Sequence, residues 1–492
     1  MSQAIDIFHL PRGMALQSMA ERAVCGTDGR PWTLRYPAAS PNWLNTLAGE
    51  LNAHRTRHLA TMPVMRILDV IGQAVDLWMN PDFPLRRQAE TLIPAITGYD
   101  ATMVRIELKR YMRQFRRREL LRFLDGELDC PQALDEFRPN KAGGFTRLYG
   151  PQMSFQVFSS NVPGIPVWSM VMTLLTKGAI LGKSSFSEPI MPALFARSLA
   201  MIDPDLADAI AVVPWKGGTA ELDDAALAQA DTIVVYGSQH TTDALRGKAR
   251  GDQRLLSYGA RVGFALIGKE SLAADRYADT IHRMAMDVAT YDQQSCLAPQ
   301  TIFIEQGGAL SPHEAAQLLG NELDAQQRKC PRSTPTDDEI MAIRRVRSAA
   351  QMQALMGSGA VLGPRHSTDW TVLYNELATP MNGSTAVTLP SPLNRTVNVI
   401  AVRNLEEALP ALKPYRPWLQ SCGMAVGPER LFTLAQVVGG YGIDRICPVG
   451  QMNRAKPGWH HDSGFNLLDL VHAVDIEQGT DLYSDRFDPD VE

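Results

Sequence analysis

The chain has 492 residues, too many for one hydrophobic core, so two or three domains are expected. It is 45% hydrophobic and 21% charged, the composition of a globular protein, and its formal net charge of −5 gives no electrostatic footprint for nucleic acid or an anionic membrane. No stretch approaches the roughly 20 apolar residues needed to span a bilayer, and the start, MSQAIDIFHLPRG, lacks the pattern of a secretory signal, so a cytoplasmic protein is expected.

The first 150 residues or so read mainly as helix. Val64, Ile67, Leu68, Ile71 and Val75 fall on one helical face, and Leu108, Met112 and Phe115 mark another. The basic run RYMRQFRRRELLR (110–122) reads as a solvated helix face interrupted by core residues. Beyond Gly150 short β-rich runs alternate with helical patterns: FQVFSS (155–160), GAILGK (178–183), AIAVVPW (209–215), TIVVYGS (232–238) and RVGFALIG (261–268). Near-continuous Val/Ile strands separated by single helices predict a parallel sheet covered on both faces. Ligands of such sheets sit beyond the carboxyl ends of the strands, where the polar ends SSN (159–161), GKSS (182–185) and YGS (236–238) all fall. A second α/β unit is expected to follow. It has a helix over 274–290, the loop TYDQQSCLAPQ, a strand TIFIE (301–305), a helix-rich stretch 312–355 and a strand VNVIAV (397–402).

There is no GxGxxG after a strand and no P-loop, and GSGAVLG (357–363) reads as a turn. The six cysteines, at 25, 130, 296, 330, 422 and 447, form no CxxC pair, and the histidines include the pair His460-His461 but no HExxH. No metal site and no disulfide framework are expected.

Four segments in order, SSNVPG (159–164), GAILGKSSFSEP (178–189), VVYGS (234–238) and YDQQSCLAPQ (291–300), resemble the aldehyde dehydrogenase superfamily. PYRPWLQSCG (414–423) and IDRICPVGQM…PGWHHDSGFNLLDLV (443–471) resemble more narrowly the fatty acyl-CoA reductases of bacterial bioluminescence systems. The resemblance implies an α/β, aldehyde dehydrogenase-like fold. Residues 1–265 would hold a helical N-terminal region and a Rossmann-type NAD(P)-binding domain. Residues 266–445 would form an α/β catalytic domain, and 446–492 a C-terminal return segment suited to oligomerisation as a homodimer or homotetramer.

By the same resemblance Cys296 is the nucleophile and Asn161 the amide that, with the cysteine's backbone N–H, stabilises a tetrahedral oxyanion. A thiolate is a good nucleophile toward thioesters, and a preorganised donor lowers such a barrier by roughly 3–4 kcal/mol. Lys183 is the lysine placed at the cofactor's adenosine ribose, and Gly237 and Ser238 form the turn near the pyrophosphate, with Thr242 where the family's second glycine stands. Phe186 occupies a position that is often acidic in the family. Its lack of charge, with Lys183, Ser184 and Ser185 as donors, favours NADPH over NAD(H).

Ser257 stands where the oxidising enzymes carry a general-base glutamate, and Ser391 where they carry a second glutamate at the nicotinamide ribose. Without a base to activate water, an acyl-enzyme should persist until hydride or a thiol attacks it. The expected reaction is therefore reduction of an acyl thioester to an aldehyde. The donor would be acyl-CoA or an acyl-carrier thioester, with an acyl-activating or acyl-carrier protein as partner and no role for nucleic acid. His460 or His461 is either a proton donor or a packing residue of the tail. An acyl-phosphate reductase, a cofactor-independent cysteine acyltransferase and a non-catalytic protein keeping the fold are the rival readings. Trp168, Met170 and Met172 suit either an apolar acyl pocket or the core.

Overall fold

A computed structural model describes residues 3–26, 29–356, 359–377 and 388–480. The chain divides into two compact units, one of Met1–Ile96, Glu107–Gly259 and Gly464–Glu492, the other of Thr97–Ile106 and Ala260–Ser463.

The first unit begins with a small sheet rather than a helix. β1 (Gln3–Asp6) pairs parallel with β3 (Pro31–Pro37), and β2 (Met19–Cys25) pairs antiparallel with β3. Helices Pro41–His54, Val64–Met79, Pro84–Thr97 and Arg117–Leu128 follow, and the Ser40 hydroxyl caps the first by accepting from Trp43 N–H. Val64, Ile67, Leu68, Ile71 and Val75 are all buried, as their spacing predicts. In the basic run Met112, Phe115 and Leu120 are buried while Arg116, Arg117 and Arg118 face solvent. β4 (Arg138–Asn140) and β5 (Gly144–Tyr149) form a second small sheet with the strand His472–Ile476. The expectation of a mainly helical N-terminal region is thus corrected at both ends. β2 is largely exposed, so it carries little of the alternation that marks a strand.

The main sheet of this unit is five-stranded and wholly parallel: β6 (Met153–Val157), β7 (Ala179–Ser184), β8 (Ile210–Pro214), β9 (Thr232–Tyr236) and β10 (Arg254–Tyr258). Their order is β10-β9-β6-β7-β8. The chain steps outward from β6 to β8, then returns to β9 on the other side of β6. The strand order therefore reverses between β6 and β9, and a doubly wound sheet binds ligands at such a point. β6 to β9 are buried along their whole length, which is why they read as apolar runs rather than alternating ones.

The second unit is built on a seven-stranded sheet: β11 (Val262–Ile267), β12 (Pro299–Glu305), β13 (Ala360–Leu362), β14 (Thr371–Glu376), β15 (Thr396–Val402), β16 (Leu419–Ala425) and β17 (Arg445–Pro448). The order is β13-β14-β15-β12-β11-β16-β17, and β13 alone runs antiparallel to its neighbour. Helices Tyr277–Ala289 and Pro312–Lys329 bury Ile281, Met284, Leu319 and Leu323 against one face. Capping boxes Ser311/Glu314 and Thr336/Glu339 start two of the helices.

Two expected boundaries shift. β11 belongs to the second sheet, so the break lies at 259/260 rather than after 265, and 446–463 belong to the second unit rather than to a return segment. The periodicity of β11 matches that of a parallel strand in either sheet, so it cannot assign the strand. In GSGAVLG, Gly357 and Ser358 lie outside the described residues, and Ala360–Leu362 is a strand rather than a turn. Among the described residues no helix is long and apolar enough to cross a membrane.

Candidate active site

In the first unit the polar ends singled out from the sequence do lie beyond carboxyl ends: Asn161 follows β6, Lys183 and Ser184 end β7, and Gly237-Ser238 follow β9. Ser238 is the N-cap of helix Gln239–Arg246, its hydroxyl accepting from Thr241 N–H at 3.3 Å. Gly237 donates its N–H to Tyr258 O (3.1 Å), and a Cβ there would stand 3.1 Å from Thr241. A helix N-terminus thus opens at the point where the strand order reverses, an arrangement that accepts phosphate oxygens. The residues present fit a dinucleotide. Thr242 is buried one turn into that helix, its hydroxyl on Gln239 O, so it shapes the helix.

Lys183 is not a free cation. Its Nζ lies 2.6 Å from Asp223 Oδ1, and the Trp215 indole N–H donates to the same oxygen at 2.9 Å. The ammonium also sits 5.2 Å from the Trp215 ring centroid. Asp223, on helix Ala220–Gln229, thereby neutralises the lysine in a buried setting. Ser184 is fully buried, and alternation along β7 sets it on the face opposite Lys183. Ser185 is half-buried and accepts from Ser187 N–H. Phe186 meets Tyr36 edge-on at 5.0 Å, and exposed Arg22 donates to Phe186 O at 3.0 Å. The N-terminal sheet therefore packs on the loop that follows β7. Met170 is core, while Trp168, tilted against the rings of Phe115 and Phe123, and Met172 line a small cavity with Tyr236, Tyr258 and Leu470.

In the second unit Cys296 sits in the loop between helix Tyr277–Ala289 and β12. The loop is pinned. Tyr291, Asp292 and Gln293 all have positive φ (52°, 51° and 67°), as do Leu393, Asn394 and Arg395 (59°, 53° and 59°) in the segment leading to β15. A non-glycine residue in the left-handed region costs roughly 1–2 kcal/mol, so six such residues persist only where the surroundings impose them. The imposing contacts join the two segments. Asp292 and Arg395, 0% and 1% exposed as side chains, form an ion pair at 2.7 Å, and the other Asp292 oxygen takes Ser333 N–H and O–H at 2.9 and 2.8 Å. Gln293 accepts from Thr396 N–H (3.0 Å) and donates to Pro299 O (2.7 Å), while Gln294 donates to Asn394 Oδ1 (3.2 Å).

Cys296 is half-buried. Burial pushes its thiol up to about 12, the Asp462 carboxylate adds to the rise, and the Arg261 guanidinium and a hydrogen bond with the Gln420 side chain oppose it. His461 is buried, and desolvation brings it down to about 4, so its imidazole is neutral at physiological pH. Its ring packs on Trp459 at 4.6 Å. His460, its neighbour, is exposed.

The two departures from the oxidising enzymes take structural roles. Ser257, on β10, accepts from Arg246 at 2.9 Å. Ser391 donates its N–H to Gln300 Oε1 and takes the N–H of Leu393 on its hydroxyl, shaping the strained turn before β15. Sequence reading misses Asp223, Asp292, Arg395, Arg261 and Gln420. All but Asp223 lie within or next to segments that the motifs single out.

Comparison with known proteins agrees with this architecture. The family model described as acyl-CoA reductase (LuxC) matches residues 59–473. The long-chain acyl-protein thioester reductase of Photorhabdus luminescens is 24% identical over 451 residues, covering 86% of this chain and 87% of that one. The Vibrio harveyi protein of the same name is 20% identical over 444 residues, covering 87% and 86%. Among solved structures, a mutant of aldehyde dehydrogenase C from Pseudomonas syringae, complexed with NAD+ and octanal, superposes with a TM-score of 0.70 at 14% identity, covering 96% of each chain. The NADP-dependent glyceraldehyde-3-phosphate dehydrogenase of Bacillus halodurans, complexed with NADP, gives 0.67 at 15% identity, covering 95% of this chain and 98% of that one. The fold is that of the aldehyde dehydrogenases, and the chain belongs to the acyl-CoA reductase (LuxC) family.

Proposed function

We propose that the protein reduces a long-chain acyl thioester to the aldehyde through a covalent acyl group on Cys296. The observation that carries this reading is the strained loop that holds Cys296 beside Gln420, Asp462 and Arg261, together with a serine, not a carboxylate, at 257. As its proton is lost, the sulfur attacks the acyl carbon. A carbon–sulfur bond forms to Cys296, and the bond to the donor thiol breaks, so the donor leaves as a thiolate that takes up a proton. Asn161 is proposed as the amide donor to the transient oxyanion. A bound nicotinamide cofactor would supply the hydride. Cys296 then departs as thiolate and the aldehyde is released. With no carboxylate at Ser257 or Ser391, neither position supplies a base for water, so the acyl group is kept for reduction. The acyl-CoA and acyl-protein donors share this chemistry, and the names of the curated relatives favour an acylated protein.

For the cofactor, the chain's contribution is the helix N-terminus at Ser238, the Lys183–Asp223 pair and the loop at 185–187. Because Asp223 already neutralises Lys183, preference for NADPH rests on the uncharged Phe186, on Ser185 and on Arg22, which pairs with no carboxylate among the described residues. The test is aldehyde formation and NADPH oxidation with acyl-CoA, acylated carrier and acyl phosphate as alternative donors. Turnover of acyl phosphate alone would support the acyl-phosphate reductase, and thioester exchange without NADPH oxidation would support the acyltransferase. Binding of 2′,5′-ADP against 5′-AMP reads the 2′-phosphate preference directly.

A further inference from the structure

Gln420 lies on β16 and is 1% exposed. Its side chain hydrogen-bonds the Cys296 sulfur, and its Nε2 also donates to Asp462 Oδ1. Asp462 Oδ2 takes two N–H groups of Arg261, Nε at 3.0 Å and Nη2 at 2.7 Å. Arg261 is fixed in turn by donating to Pro417 O at 3.0 Å. Asp462 itself is held at φ 52°, with Ser463 at 66° and its hydroxyl on Asp444. A carboxylate paired with a guanidinium accepts hydrogen bonds only, so the amide must turn its NH2 end toward Asp462. That NH2 group has two N–H donors. With one on Asp462, the other is left to serve the neighbouring thiol. The opposite end of the amide, Oε1, is buried with no hydrogen-bond partner among the described residues. A protein keeps such an unsatisfied group at a cost, and it calls for a reason.

We propose that Gln420 is a positioning residue for Cys296: locked by the Asp462–Arg261 ion pair, its amide aims one N–H at the sulfur, fixes the side chain's direction and stabilises the thiolate as it forms. This rests on Cys296 being the nucleophile. The charged and titratable groups facing the sulfur are Asp462 and Arg261, with neutral His461 adjacent in the chain and Asp444 one link further through Ser463. Asp462 thus has two opposed effects. Its charge resists thiolate formation, and its hydrogen bond orients the amide that assists it.

The test is the rate at which iodoacetamide alkylates Cys296 between pH 7 and 11, read by peptide mass spectrometry so that the other five cysteines do not contribute. Gln420→Leu keeps the volume and removes the donor. The rate at pH 8 should fall about tenfold or more, the scale for loss of a hydrogen bond to a charged group. An unchanged pH profile in Gln420→Leu would overturn the proposal. Should that variant fail to fold, Gln420→Met, which keeps the length and likewise removes the donor, takes its place, and an unchanged pH profile there would overturn the proposal. Failure of the underlying reading has its own signature: Cys296→Ala would still form an acyl adduct on another cysteine.

Discussion

Replacing Asp292 with asparagine keeps the shape of the buried acceptor and removes its charge. In the native protein one Asp292 oxygen holds Arg395 and the other takes both Ser333 donors. An asparagine can serve one side only, because its NH2 end opposes donors on the other. Arg395, 1% exposed as a side chain, is then left with an uncompensated buried charge, which costs about 3–5 kcal/mol. For a unit of roughly 200 residues that corresponds to a fall in thermal midpoint of about 10 °C or more. The damage should be local first, because the three left-handed residues before Cys296 store strain that relaxes once the clamp opens. Hydrogen exchange across 291–297 should accelerate at least about tenfold at 25 °C, and acylation of Cys296 should slow by a similar factor. Faster exchange with acylation at the native rate would refute the idea that the clamp presents the nucleophile. A native thermal midpoint would refute the energetics.

Three further outcomes are expected. Asn161→Ala should slow acylation by about 10²–10³ with little change in cofactor affinity; equal losses in both would make it a structural residue. Ser257→Glu should divert labelled acyl groups from aldehyde to free acid, measured as the partition of label over time, and no acid at all would show that the position does not reach the thioester. Glu188 is buried, bonded to the N–H groups of Ile190 and Met191, and raised by desolvation to about 7. A carboxyl raised above its unfolded value stabilises most at low pH and loses that contribution as pH climbs through the folded value. Denaturant titrations should therefore show stability declining between about pH 4.5 and 7, and Glu188→Gln should flatten that decline; an unaltered slope would contradict it.

Legibility in the sequence follows burial. β6 to β9 are readable because strands buried on both faces are continuous apolar runs, and the crevice residues are readable because polar residues close those runs. β2 escapes because it is mostly exposed, and β11 falls to the wrong sheet because its pattern carries no address. Cys296, Asn161 and Gly237-Ser238 are singled out by motif. Asp292–Arg395, Lys183–Asp223 and Gln420–Asp462–Arg261 are not, since each joins residues 40 to 201 positions apart. The pinning of the loop around Cys296 by the buried Asp292–Arg395 pair is a property of pairing across segments rather than of either segment.

The most direct test of the central claim is intact-protein mass spectrometry with peptide mapping after mixing the protein with a long-chain acyl-CoA, first without and then with NADPH. The account predicts a single acyl adduct on Cys296 that persists in the absence of cofactor and is cleared as aldehyde when NADPH is added. An adduct on a different cysteine, or one that water clears to free acid before NADPH arrives, would contradict it.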